Sequence, residues 1–302
     1  MQLIKGREIA DNILDNIRLK IEKMETKPTL AVILIGEDKA SEIYVGLKEK
    51  AAREIGMNFN LFKYDSDVEE EVVLNKIKEI NENKSIDGLI VQLPLPEKLD
   101  KHKIINAIDP QKDVDGFCEV NQELFFQNQE VLYPVFPKAI IKMVEFALKN
   151  RTPSVLSDVS PFEYKGGEGN AVCKFTNTKA VIVCQSDDFG KIMQKYFEKI
   201  KIEAQYVFCD NVENETGLIK NADIIVTACG IKNLLNFEMV KDRVIIIDGG
   251  IVKEGGKVLG DIDFESFRET DCFISPVPGG VGPVTVACLL ENVYLAYCKN
   301  KN

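Results

Sequence analysis

The chain has 302 residues, 45% of them apolar, with 48 acidic against 38 basic side chains and a net charge of −10. Such a length predicts two domains with a core in each, and the acidic balance argues against nucleic acid or a membrane surface as partner, since both want clustered positive charge. Eight cysteines never form a Cys-x-x-Cys pair and lie mostly in apolar runs, while the one histidine, His102, stands in the polar run KLDKHK, so reduced core thiols are expected and no metal.

In chain order, Ile9, Ile13, Ile17 and Ile21 stand four apart and predict an amphipathic helix over 6–24 rather than a leader peptide. Nowhere does a run approach the roughly 18 continuous apolar residues of a membrane span, so a soluble, cytoplasmic protein is expected. Leu30 to Ile35 reads as a buried strand, Ser41 to Ile55 as a helix and Phe59 to Tyr64 as a strand. The acidic run from Glu69 opens a helix carrying Val72, Val73, Ile77 and Ile80. Gly88 to Leu93 completes a βαβαβ arrangement, which implies parallel strands covered by helices on both faces. Pro137 to Asn150 reads as a helix joining two halves, and Arg151 to Lys179, polar and containing KGGEGN, as an excursion or lid. A second alternation places strands at Ala180 to Cys184, Ala204 to Cys209, Asp223 to Ala228 and Val244 to Asp248. It predicts a Rossmann-like doubly wound parallel sheet. The expected fold is therefore α/β with two domains, a three-layer αβα domain over 1–145 completed by a C-terminal helix at 284–302, and the Rossmann-like domain over 146–283.

Four segments carry chemistry. Tyr44 and Lys48 share a helix face that continues through Ala51 and Ile55, so the lysine points to the apolar side. It either snorkels to solvent or is a desolvated amine whose lowered pKa lets it act as a base. In DGLIVQLPLP, 87–96, Gln92 ends a buried strand, and parallel sheets bind ligands beyond the carboxyl ends of their strands. An uncharged amide there orients a neutral lysine without protonating it. In KDVDGF, 112–117, Asp113 and Asp115 read either as an Asx turn or as a carboxylate accepting paired N–H donors from a flat heterocycle. The run PVPGGVGPVT, 276–285, is a turn that brings backbone close to another group, or else a tight strand-to-helix connection.

Together Tyr44 with Lys48, VQLPLP at 91–96, KDVDGF at 112–117 and PVPGGVGP at 276–283 resemble the bifunctional methylenetetrahydrofolate dehydrogenase/cyclohydrolase family, with weaker agreement in DGGI at 248–251, GDIDF at 260–264 and LLEN at 289–292. The resemblance implies a folate-binding first domain and a homodimer in one-carbon metabolism. Its activity would be oxidation of 5,10-methylenetetrahydrofolate with NADP or NAD, then hydrolysis of the methenyl product to 10-formyltetrahydrofolate. It implies catalytic roles for Lys48, Gln92, Tyr44 and Asp115, with Lys48 as base or proton shuttle, Gln92 orienting it, Tyr44 packing on the substrate and Asp115 holding the pterin donor edge. The implied folate contacts add Val91, Leu93, Pro276, Gly279, Gly280 and Val281, and the implied dinucleotide contacts are Gln185, Ser186, Gly190, Asp210, Cys229, Gly230, Gly249, Ile251, Gly280 and Thr285.

The departures from the family concentrate in the nucleotide half. Its glycine-rich GRSxxVGxP is CQSDDFGKI here, with Cys184 and Gln185 in place of glycine and arginine and Ile192 in place of proline. Asp210, about 20 residues beyond Gly190, is placed to accept ribose hydroxyls and to repel a 2′-phosphate, so NAD is expected over NADP. The bridge segment YPVFPKA carries Val135, Phe136 and Ala139 where the family has cysteine, threonine and glycine. A folate-binding protein without catalysis is the alternative reading, which retention of Lys48 and Gln92 opposes.

Overall fold

A computed structural model describes residues 1–129, 132–151 and 178–301. Its elements in chain order are β1 (Gln2–Leu3), α1 (Gly6–Ile21), β2 (Thr29–Ile35), α2 (Lys39–Glu54), β3 (Asn58–Tyr64), α3 (Glu70–Glu82), β4 (Gly88–Val91), α4 (Lys101–Asn106), α5 (Glu119–Phe126) and α6 (Val135–Arg151). Then follow β5 (Lys179–Cys184), α7 (Asp187–Lys199), β6 (Glu203–Phe208), α8 (Thr216–Lys220), β7 (Ile224–Ala228), β8 (Ile245–Asp248), β9 (Val252–Glu254), β10 (Lys257–Leu259), β11 (Phe273–Ile274) and α9 (Val281–Lys301). They form two compact units, Ala10–Lys138 with Thr285–Asn302, and Met1–Ile9 with Ala139–Val284.

The unit built on Ala10–Lys138 holds a parallel sheet in the order β3-β2-β4. Every residue of β2 is buried, as its unbroken apolar run requires of a central strand, whereas the edge strand β3 alternates. The β2–β3 and β3–β4 crossovers run in opposite directions across the sheet, so right-handed connections put α2 and α3 on opposite faces. The α3 stripe of Val73, Ile77 and Ile80 packs with Ala31, Ile33, Leu89 and Val91. Val72, expected in that stripe, is 47% exposed because it lies one residue round the helix from Val73. The C-terminal part of α9 belongs to this unit, as expected. Its 18-residue window has a mean hydropathy of 1.4, enough in composition for a membrane span, but 56% of that window is buried inside the protein. Tyr297 also ties it to Thr26 through a 2.6 Å hydroxyl contact. This is a core helix.

The other unit carries a six-stranded sheet in the order β1-β11-β8-β7-β5-β6, with every pairing parallel. Val181, Val183, Ile225, Ile246, Ile274 and Phe267 form its core. Packing of α7 on β6 depends on Gly190, since a Cβ there would lie 2.6 Å from the Tyr206 ring. The expected division at 145/146 is displaced in two places. Gln2–Leu3 pair with Phe273–Ile274, which draws residues 1–9 into this sheet, and α6 joins this unit from Ala139 onward. A two-residue strand leaves no periodicity to read in a sequence. The expected excursion at 151–179 lies, at 152–177, outside the described residues.

Candidate active site and dinucleotide site

Lys48 emerges from α2 beside its buried stripe of Ser41, Val45 and Ala52. Tyr44, one turn earlier, is 36% exposed rather than turned to the core, because it lies on the flank of that stripe. The Lys48 amine donates to Gln92 Oε1 at 2.9 Å, and Gln92 Nε2 donates to the Leu93 carbonyl at 2.7 Å. The second bond sets the amide orientation, leaving its oxygen for the lysine. Leu93 O in turn receives the Ser41 hydroxyl at 3.5 Å, and Asp38 caps α2 through Ser41 N at 2.8 Å. Burial holds the Lys48 amine below its ordinary value of 10.5, with the charge of Asp115 opposing the fall. Lys48 as a whole is half-buried, and desolvation outweighs the Asp115 charge in deciding the direction.

The two aspartates of KDVDGF divide the alternatives between them. Asp113 makes the turn: it accepts from Gly116 N at 3.1 Å, Cys118 N at 2.9 Å and Asn121 Nδ2 at 3.0 Å, and is 1% exposed. Gly116 follows at φ +72, and a Cβ there would crowd the Pro134 backbone at 2.8 Å. The Asp115 carboxylate accepts no hydrogen bond among the described residues, and only its backbone carbonyl is engaged, by Val135 N at 3.2 Å. Burial pushes the carboxyl group up to about 6, Lys48 pulls it down and Asp113 adds to the rise. The Lys48 amine and the Asp115 carboxylate lie close enough for each to shift the other.

Two side chains that the sequence reading gave no role hold this site in place. Lys112 reaches the end of α3, donating to the carbonyls of Ile80, Asn81 and Asn83 at 2.7, 2.8 and 2.7 Å, a cationic cap on a helix C-terminus. Asn292 of the LLEN segment, 0% exposed, donates to Val114 O at 2.8 Å and Tyr133 O at 2.9 Å and accepts from Lys138 at 2.8 Å. It therefore fixes the peptide that carries Asp115. The only available signal was LLEN itself, whose spacing says nothing of a partner 178 residues away.

In the Rossmann-like unit the expected dinucleotide residues gather at the carboxyl ends of β5, β6, β7 and β8. Ser186 caps α7 by accepting from Phe189 N at 3.3 Å, at a helix N-terminus of the kind that favours an anion. The acidic first turn is partly neutralised, because Asp187 pairs with Lys191 and accepts from the Tyr206 hydroxyl. Gln185 is exposed and its amide bonds back to the Cys229 carbonyl. Asp210 is exposed in the turn directly after β6. Gly249 continues the ladder by donating to Thr227 O at 2.8 Å, and Ile251 beyond it is 49% exposed. An open helix N-terminus beside an exposed acid after the second strand fits a nicotinamide dinucleotide. Gly190 is required for packing against Tyr206, and the N–H groups of Cys229 and Ile231 are taken by Asp261, at 2.8 Å each.

The proline and glycine run resolves as a turn that meets the start of α1 within the same unit. Gly6 N donates to Gly279 O at 2.9 Å, and a Cβ on Gly6 would overlap the Gly280 carbonyl. Gly279 sits at φ +102, and a Cβ on Gly280 would lie 2.6 Å from Pro276 O. The absence of a side chain at Gly6 is thus what lets the Gly280 carbonyl approach the start of α1. Pro276 and Val281 flank this turn, and Thr285 opens the part of α9 that belongs to the other unit.

Comparison with known proteins gives one family over both halves. Residues 4–115 match the tetrahydrofolate dehydrogenase/cyclohydrolase catalytic domain, and residues 170–301 the NAD(P)-binding domain of the same enzymes. The chain is 36% identical over 299 residues to the bifunctional protein FolD of Vesicomyosocius okutanii, covering 98% of this chain and 99% of that one. It is also 36% identical over 302 residues to the FolD of Hydrogenobaculum, with the same coverage of 98% and 99%. Among solved structures, the bifunctional FolD methylenetetrahydrofolate dehydrogenase/cyclohydrolase of Campylobacter jejuni superposes with a TM-score of 0.86 at 31% identity, covering 100% of both chains.

Proposed function

The chain belongs to the tetrahydrofolate dehydrogenase/cyclohydrolase family, and from that premise we propose that Lys48, Gln92 and Asp115 form the centre at which it oxidises 5,10-methylenetetrahydrofolate and hydrolyses the methenyl product to 10-formyltetrahydrofolate. One observation carries this reading: the Lys48 amine, desolvated and under the influence of the Asp115 charge, is bonded at 2.9 Å to a neutral amide.

The chemistry follows from those groups. Asp115, ionised above about pH 6, accepts paired N–H donors from the pterin edge and so orients the folate. NAD(P), when bound, supplies the acceptor for the hydride leaving the methylene carbon. The methenyl carbon belongs to a cationic amidinium, which a neutral amine can approach and an ammonium would repel. Lys48 takes a proton from water as the new C–O bond forms and returns one to the ring nitrogen as the C–N bond opens, while the remaining hydroxyl proton leaves to solvent as the formyl C=O forms. Gln92 keeps the amine aimed without stabilising its charged form. Tyr44, exposed one turn away, packs on the substrate, with Val91 and Leu93 at the strand end beside it.

The same reading gives Gln185, Ser186, Asp210 and the loops at Cys229, Gly230, Gly249 and Ile251 to the dinucleotide, with NAD preferred over NADP. Support comes from the glutamine at 185, which carries no charge and is bonded back to Cys229 O, and from the exposed Asp210. A homodimer of cytoplasmic chains is part of the proposal, and light scattering that finds one chain per particle would overturn that part. For the chemistry, the decisive measurement is the decay of methenyltetrahydrofolate absorbance: Lys48→Met is expected to lose at least about a hundredfold in rate, and wild-type decay by that variant would remove Lys48 from the mechanism. Tighter binding of NADP than of NAD would overturn the preference.

A further inference from the structure

The loop after β7 turns through Gly230 at φ +66 and aims the N–H groups of Cys229 and Ile231 to one side. Such a concavity is an anion nest, and this chain fills it with its own carboxylate. Asp261 Oδ2 accepts from Cys229 N and Oδ1 from Ile231 N, both at 2.8 Å, and the residue is 0% exposed. The same carboxylate lies against Gly250, where any Cβ would overlap it. A second buried aspartate holds the backbone of the first. Asp248 Oδ1 accepts from Asp261 N at 3.1 Å, Gly250 N at 3.0 Å and Thr227 Oγ1 at 3.2 Å, and its Oδ2 from Ile262 N at 3.2 Å. Gly260 in turn has no room for a side chain beside the Asp248 carboxylate.

We propose that Asp261 is a positioning residue for the dinucleotide, fixing the 229–231 loop to the 249–251 turn at the ends of the adjacent strands β7 and β8. It acts without touching the cofactor, since its carboxylate is fully enclosed. The loop N–H groups are spent on Asp261, so what the loop offers a ligand is its outer edge, and the shape of that edge depends on the carboxylate behind it. This is why a glycine must stand at 250 and an aspartate at 261, in two segments that show no relation in sequence.

The inference rests on the reading that a nicotinamide dinucleotide binds at these strand ends. Calorimetric titration of NAD and NADP into wild type, Asp261→Asn and Gly250→Ala tests it, together with amide hydrogen exchange at 229–231 in the ligand-free proteins. Asparagine turns an N–H donor against one of the loop N–H groups, and is expected to speed exchange there and weaken dinucleotide binding about tenfold or more. The cyclohydrolase rate is expected to stay within about twofold, which verifies the fold of the variant. Gly250→Ala displaces the carboxylate without removing its charge and is expected to act in the same direction, so it decides the question if Asp261→Asn does not fold. Faster exchange with wild-type dinucleotide affinity would reduce Asp261 to a loop staple and overturn the proposal alone. Wild-type protein that binds neither dinucleotide would overturn the underlying reading, and the proposal with it.

Discussion

Replacing Asp115 by asparagine is expected to stabilise the protein while it weakens folate binding, and the stability change carries a pH signature. The carboxyl group titrates near 3.8 when free and is pushed up to about 6 in the fold, chiefly by burial. Each unit of that rise corresponds to about 1.4 kcal/mol, so the ionised form destabilises the native chain by at most about 3 kcal/mol. Partial solvent access at Asp115 and the neighbouring Lys48 charge reduce this, and about 1–2 kcal/mol is expected. The sign runs with the raised acid pKa: the folded state is favoured while both states are protonated, below about pH 4, and that advantage is lost as pH rises through about 6. An asparagine never ionises. Wild type and variant should therefore unfold alike in urea near pH 4 and diverge to a plateau above pH 6, the variant being the more stable. Loss of the Asp115 charge removes what raises the Lys48 pKa, so the amine moves further toward its neutral form in the variant. Far-UV circular dichroism of urea unfolding across this range makes the measurement. A difference independent of pH, or a variant less stable at neutral pH, would refute the reasoning.

Three further outcomes follow from the same geometry. Gln92→Glu places a carboxylate where the amide now meets Lys48 at 2.9 Å; the amine pKa rises, and the cyclohydrolase rate near pH 7 should fall about tenfold for each unit of rise while recovering at higher pH, as a pH–rate profile will show. Asn292→Ala strands the Val114 and Tyr133 carbonyls and should cost about 2–4 kcal/mol in thermal unfolding, with the folate KM raised because Val114 precedes Asp115. Gly190→Ala drives a methyl into the Tyr206 ring and should destabilise the Rossmann-like unit by about 1–3 kcal/mol, leaving the pH dependence of the Lys48 step unchanged.

The long buried strands were legible because their runs are unbroken: Leu30 to Ile35 and Ala180 to Cys184 each fall within one residue of the observed strands. The six-residue helix α4 and the two-residue strands β1 and β11 were not, since fewer than two repeats of a pattern leave no period to detect. The displaced unit boundary has the same origin, because only pairing with Phe273–Ile274 tells that Gln2–Leu3 belong to the second sheet.

By itself the sequence settled residue chemistry and local direction: a lysine toward the apolar side of a helix, an amide at a strand end, two acids beside a glycine. Those follow from periods of 3.6 and 2 and from what a turn tolerates. Tertiary structure alone decided who meets whom. It gave the turn to Asp113 and left Asp115 out of it, joined Lys48 to an amide 44 residues away, and spent the loop donors at 229 and 231 on an aspartate 30 or more residues beyond. Local spacing encodes the face a side chain takes, whereas its partner and its desolvation depend on how distant segments close around it.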